Sequence, residues 1–242
     1  MDTHVKWSKK EWSKIAKQYS IKKKSIPTYI IFFCDLILLI MGYYLHTKSE
    51  MTLLKIISIP ILCLVLVHFY LFHHEATHGS FSRNSVINDS FGHFFGWLIL
   101  LPYLPRKRSH MLHHIHTGHP VNDLANKRMI ERFKVMTKKE SEKLDFFWKS
   151  WIPILVINDR IGLWMDPFTQ SLTTKNRGKI RKEIKASKAY LIGYCCTIIL
   201  LSLSGYLSIL LTWFMPAFII ALYIEELANL PHHAETPLLE TS

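Results

Sequence analysis

Cysteine is scarce in this chain, and all four, Cys34, Cys63, Cys195 and Cys196, fall inside strongly apolar stretches. That excludes a disulfide framework and a cysteine-based zinc site, and leaves the thiols as small packing residues. No glycine-rich loop suited to a nucleotide occurs, and no haem or iron–sulfur motif. Internal repeats and low-complexity tracts are absent as well. Acid is in short supply: 18 Asp and Glu stand against 30 Lys and Arg, for a formal net charge of +12. The basic excess is assigned to a membrane surface, with no nucleic acid partner.

What is abundant is long apolar sequence. Thr28 to Leu45 and Thr52 to Phe72 are of spanning length, interrupted only by Asp35 and Lys55. Ala189 to Ser204 and Tyr206 to Ile224 carry no charged residue, and the Gly205 between them leaves room only for a tight hairpin. The expected fold is all-α and integral to the membrane, with four transmembrane helices, interfacial helices and a cytoplasmic histidine-rich metal site. Phe91 to Pro105 is too short to cross and return, so it is expected to be a re-entrant or surface helix. Leu144 to Trp164 mixes tryptophan and phenylalanine with charge, as a helix at headgroup depth would. Lys127 to Lys143 is read as a solvated helix.

Charge asymmetry orients the chain. Of the 30 basic residues, 8 lie in residues 1 to 26 and 20 between Glu75 and Lys188, whereas Leu45 to Leu53 holds only Lys48. By the positive-inside rule both termini and the central loop are cytoplasmic. Residues 1–26 form a basic juxtamembrane segment, with Trp7, Trp12 and Tyr19 suited to anionic headgroups, and they are expected to stay attached. Residues 27–242 form the membrane domain. Lysine- and isoleucine-rich usage points to a bacterial inner membrane.

Histidine carries the chemistry. His74 and His78 follow the second apolar run, His110, His113 and His114 lie in the central loop, and His232 and His233 follow the fourth run. The topology puts all three clusters on one side of the membrane. A spacing of four aligns His74 with His78 on one helical face, and the i, i+3, i+4 pattern does the same for His110, His113 and His114. Neutral imidazole is a natural ligand for iron, zinc or copper, and so many in a low-dielectric setting have no structural use. His4, His46, His68 and His93 are read as packing, surface or interfacial residues.

The runs His74-Glu75-Ala76-Thr77-His78-Gly79 and His110-Met111-Leu112-His113-His114-Ile115-His116-Thr117 resemble the first two histidine boxes of membrane fatty acid desaturases and their hydroxylase relatives. The resemblance implies a non-haem centre of two irons, with O2 and two electrons used to remove hydrogens from an acyl chain. It makes His74, His78, His110, His113 and His114 iron ligands, with His232 and His233 in the position of a third box. It also implies a bilayer-embedded acyl substrate and an external electron donor of ferredoxin, flavodoxin or cytochrome type, for which Arg106-Lys107-Arg108 offers a cationic docking face or a lipid contact.

The third box departs from the pattern, because Asn229-Leu230-Pro231-His232-His233 stands where H-x-x-H-H or Q-x-x-H-H is expected. Either Asn229 replaces the first ligand, or the true third box lies on a further segment and the domain is C-terminally incomplete. Rival readings stay open. His74-Glu75-x-x-His78 is also the H-E-x-x-H zinc-protease pattern, for which Asp166 is the one acidic candidate for a further ligand. A lipid hydroxylase would share the iron ligands, and a non-catalytic desaturase remnant would keep the fold alone.

Overall fold

The computed structural model describes residues 25–116, 134–170 and 177–233, with side chains of 26–228 inside those ranges. Every element among them is helical. In chain order these are α1 (Ser25–Lys48), α2 (Thr52–Thr77), α3 (Ser85–Leu98), α4 (Tyr103–His116), α5 (Lys138–Lys149), α6 (Ile154–Thr169) and α7 (Arg177–Leu203). A helical turn at Leu207–Ile209 and a π-helical segment at Leu210–Phe214 then lead into α8 (Met215–His233). The basic segment 1–26 lies outside the described residues except at its last two positions, as does 127–133 of the expected solvated helix at 127–143, whose last six residues are the exposed start of α5.

Among the described residues, four helices are long and apolar enough to cross a membrane: Ile26–Lys48, Thr52–Thr77, Arg177–Leu203 and Leu207–Ala228. Their burial differs in a telling way. Of the most apolar windows of α1 and α7, 11% is buried, against 33% for α2 and 28% for the fourth span, so α2 and α8 form the inside and the other two the periphery. Ile37, Ile40, Leu200 and Leu203, all well over half exposed, belong to the lipid-facing surface.

α2 is the hub, packing on α1, α3, α4, the π segment and α8. One end of its core is aromatic. Phe32 of α1 meets Phe72, Phe91 and Phe95 edge-on, and Phe81 stacks obliquely on Phe91 at 5.0 Å. Inside the membrane, Asp35 is buried between α1 and α2 and accepts from His68 Nδ1 at 2.8 Å. An unpaired carboxylate at that depth would be costly, and the imidazole supplies its partner.

Helix ends here share one device. After α2, Ser80 N–H bonds to the Glu75 carbonyl at 2.9 Å with Gly79 at φ +66°, and before the fourth span Tyr206 N–H bonds to Leu201 O at 2.8 Å with Gly205 at φ +76°. These are six-to-one closures around a left-handed residue, which glycine adopts without penalty. The same closure occurs at Leu100 (φ 56°; Leu101 N–H to Gly96 O, 2.8 Å) and Trp151 (φ 59°; Ile152 N–H to Phe147 O, 3.0 Å). Two sequence expectations are corrected by them. Phe91 to Pro105 is not one re-entrant or surface helix but the end of α3, a turn and the start of α4. Leu144 to Trp164 is likewise split between α5 and α6.

Candidate metal centre

Two helix ends converge just beyond the aromatic core. α2 runs past its apolar span and delivers His74 and His78, one turn apart, while α4 lays His110 and His114 across them. The second helix is fixed by residues other than histidine. Tyr103 is fully buried, and its hydroxyl lies 3.0 Å from the Ala76 carbonyl and 2.8 Å from the Asp89 carboxylate, tying α4 to α2 and α3. Gly92 lets that ring lie flat on α3, since a Cβ there would stand 2.2 Å from the ring. Asn84 caps α3, accepting from Val86 N–H and Ile87 N–H, and buried Asn88 bonds to Ser82 N and O to hold the connection from α2.

One ligand nitrogen from each of His74, His78, His110 and His114 lies within 4.8 Å of all the others. The shortest separations are His110 Nε2 to His78 Nε2 at 2.9 Å and His114 Nε2 to His110 Nε2 at 3.1 Å. Two nitrogens each about 2.1 Å from a common ion and at right angles stand about 3.0 Å apart, so these spacings suit the adjacent corners of a six-coordinate metal. Burial, and behind it the positive charge of Arg106, pushes the His110 pKa down to about 2. His114 is lowered as well, first by burial and then by its histidine neighbours. Both rings are therefore neutral at physiological pH, the form that binds a metal.

Other sequence candidates fall elsewhere. His113 does not join the four; its ring lies parallel to His110 at 6.4 Å on the flank of α4. The expectation that all three loop histidines share one face is thus met by the i, i+4 pair only. His232 and His233 end α8, with side chains outside the described residues. His73 turns away from the cluster into the core, against Gly96 and edge-on to Tyr103 at 5.6 Å. His46 and His93 are packing residues as expected, bonded to Ser58 and Thr212 and to Tyr190. His4 lies outside the described residues.

Ion pairs lock the surroundings. Arg108 binds Glu183 through two nitrogens at 2.9 and 3.1 Å and Asp166 at 3.0 Å, joining α4 to α6 and α7. Lys107 pairs with Asp89 at 2.6 Å, and Arg106 reaches Asp159 at 3.6 Å. Arg106-Lys107-Arg108 is therefore a clamp holding the histidine helix, not an open cationic patch. Arg160 of α6 joins Glu225 of α8 and the Ile99 carbonyl. Sequence reading singles out Asp166 only as a candidate zinc ligand and misses the pairing roles of Asp89, Asp159, Glu183 and Glu225.

The geometry also decides against the protease reading. A hydrolytic zinc keeps an open position beside three protein ligands, whereas four imidazoles converge here. Glu75 is half exposed and engaged by Ser80, and Asp166 is committed to Arg108.

Comparison with known proteins agrees. The chain matches the family "Fatty acid desaturase" over residues 52–241. It is 29% identical to the omega-3 fatty acid desaturase fat-1 of Caenorhabditis elegans over 151 residues, covering 58% of this chain and 34% of the relative. It is 27% identical to a chloroplastic omega-3 fatty acid desaturase of Ricinus communis over 176 residues, covering 66% and 35%. A delta(12) fatty acid desaturase, fat-2 of C. elegans, is 33% identical over 94 residues, covering 35% and 23%. The chain thus spans about a third or less of the length of these relatives. No solved structure matches it. With the family match covering most of the chain, including both histidine pairs that converge at the end of α2, this protein belongs to the fatty acid desaturase family.

Proposed function

We propose that this chain is a membrane-bound fatty acyl desaturase, with a histidine-ligated iron centre at the cytoplasmic membrane face. The observation that carries the reading is the four-imidazole cluster formed by His74, His78, His110 and His114, with one nitrogen of each within 4.8 Å of the other three. His113, His232 and His233 are assigned to a second iron. When bound, the irons supply the activation of O2 with two electrons and the removal of hydrogens from an acyl chain. An outside redox protein supplies the electrons.

The protein's own part is positional. The neutral rings of His110 and His114 offer lone pairs without first losing a proton. Phe72, Phe81 and Phe95 are buried in the aromatic core at the same end of α2, a water-poor neighbourhood for the reaction. Arg106, just under His110, contributes fixed positive charge. Between α2 and α8 runs an apolar groove lined by Leu66, Tyr70, Phe218, Ala221 and Leu222 and closed by Arg160 and Glu225. Its volume of about 50 Å³ admits on the order of two water-sized groups, so it is suited to the tip of an acyl chain, not its whole length.

The test is metal analysis of the detergent-purified chain beside His78→Ala, His110→Ala and His113→Ala, with acyl-lipid analysis of cells expressing each. Iron lost in the first two, partly lost in the third, and a new unsaturated acyl product that depends on His110 are expected. Iron content indifferent to His78 and His110 would overturn the reading.

A further inference from the structure

At the membrane face opposite the histidine cluster, a second cavity has no part in the metal chemistry. It has a volume of about 580 Å³ and lies among the end of α1, the start of α2 and the turn that opens the fourth span. Lys55 and His74 are 19 residues apart on α2, so at 1.5 Å per residue roughly 30 Å, the thickness of the hydrocarbon core, separates the two sites.

The wall is built. His46 uses both ring nitrogens, toward Ser58 Oγ at 3.1 Å and Thr212 Oγ1 at 2.9 Å, and stacks on Trp213, whose indole donates to the Ser58 carbonyl at 3.0 Å. Those contacts join α1, α2 and the π-helical segment, an arrangement that often accompanies function. Lys48 and Lys55 border the cavity, and no acidic residue does. Among the described residues neither lysine has a carboxylate in ion-pair range. Thr52 and Ser208 add hydroxyl donors, while Ile56 lines one side and, with Leu53 beside it, remains 56% and 60% exposed toward lipid.

We infer that this cavity binds the phosphate headgroup of an anionic phospholipid, with Lys48 and Lys55 as the charge partners and the lipid's chains lying along Leu53 and Ile56. Free phosphate shares the headgroup chemistry but has no use for the flanking apolar surface. Depth decides for the lipid, because α1 ends and α2 begins where headgroups reside.

The experiment is native mass spectrometry of the full chain in detergent, titrated with phosphatidylglycerol or phosphatidylcholine. Wild type is expected to retain phosphatidylglycerol preferentially. A Lys48→Ala/Lys55→Ala variant should bind it about two- to thirtyfold more weakly, the range expected for losing two exposed ion pairs. Lys138→Ala/Lys139→Ala on α5 should bind as wild type. Ser208→Trp, which fills the cavity and leaves the charges, should also abolish the preference, so the conclusion does not hang on the lysine variant's folding. Lipid retention unchanged in both cavity variants would overturn the proposal, and so would displacement of the lipid by millimolar inorganic phosphate.

Discussion

Replacing Gly92 by alanine is a severe test of how the metal helices are held together. The new methyl carbon would stand 2.2, 2.5 and 2.6 Å from Tyr103 Cε2, Cζ and Cδ2, where about 3.5 Å is the closest comfortable approach. The ring has nowhere to go. It is fully buried, its hydroxyl is bonded to Ala76 and Asp89, and its faces meet His73 at 5.6 Å and His93 at 5.0 Å. α3 and α4 must therefore part by about 1 Å. Overpacking of this kind costs about 1–3 kcal/mol. Loss of the buried tyrosine bonds adds about 1–3 kcal/mol more if the ring is expelled. Helix propensity works the other way, since alanine is better than glycine inside a helix by about 1 kcal/mol. The net is a destabilisation of up to about 2 kcal/mol with the ring held in place and about 1–5 kcal/mol with it expelled. Gly178 near the start of α7 has nothing within 4 Å of its added Cβ, so Gly178→Ala should change stability slightly in the opposite direction. Denaturant unfolding of both variants in one detergent reads the difference. Because α4 carries His110 and His114, a shift of about 1 Å also exceeds the roughly 0.2 Å that metal–ligand distances tolerate, so iron retention should fall in Gly92→Ala alone. A Gly92→Ala protein as stable and as iron-rich as wild type would refute the claim that Tyr103 sets the register of α4.

Further outcomes follow from the same contacts. Gly79→Ala and Gly205→Ala each meet open space but a left-handed backbone, so each should cost about 1–2 kcal/mol in unfolding experiments from strain alone. Arg108→Met leaves Glu183, 5% exposed, without its cation and should cost about 3–5 kcal/mol, most of it restored by adding Glu183→Gln. Asn84→Ala removes the cap of α3 and should cost about 1 kcal/mol by the same measurement.

How far the sequence foretold this molecule depends on the physical signal behind each feature. The spans were legible because a bilayer demands long uncharged runs, and the hairpin at Gly205 because it alone separates two of them; Gly79 ends α2 in the left-handed region that glycine enters freely, a turn not read from the sequence. Leu100 and Trp151 occupy that same region without glycine's signature, held there by six-to-one hydrogen bonds, which is why two helix breaks were invisible. The Asp35–His68 pair was within reach of hairpin arithmetic. Those residues lie 15 and 18 positions either side of Glu50 in the α1–α2 turn, hence at similar depth. The partners of Arg106, Lys107 and Arg108 were not within reach, because Glu183 and Asp166 come from helices whose packing no local pattern encodes.

The histidine doublet shows what spacing alone can and cannot decide. Adjacent positions on a helix point about 100° apart, so His73 and His74 cannot serve one metal, and α2 sends the first into its core and the second to the cluster. The loop triplet divides by the same rule. Positions four apart stay nearly in line while position i+3 falls on the other side, and α4 turns the 110/114 edge toward α2, leaving His113 on the flank. Which edge faces inward is set by Tyr103, Gly92 and the Arg108 clamp. Those residues have no affinity for metal, and through packing and ion pairing they place His110 Nε2 2.9 Å from His78 Nε2 and 3.1 Å from His114 Nε2. The four-imidazole site is thus a consequence of the fold around α2, and perturbing residues that never touch a metal should be as damaging to metal retention as removing a ligand.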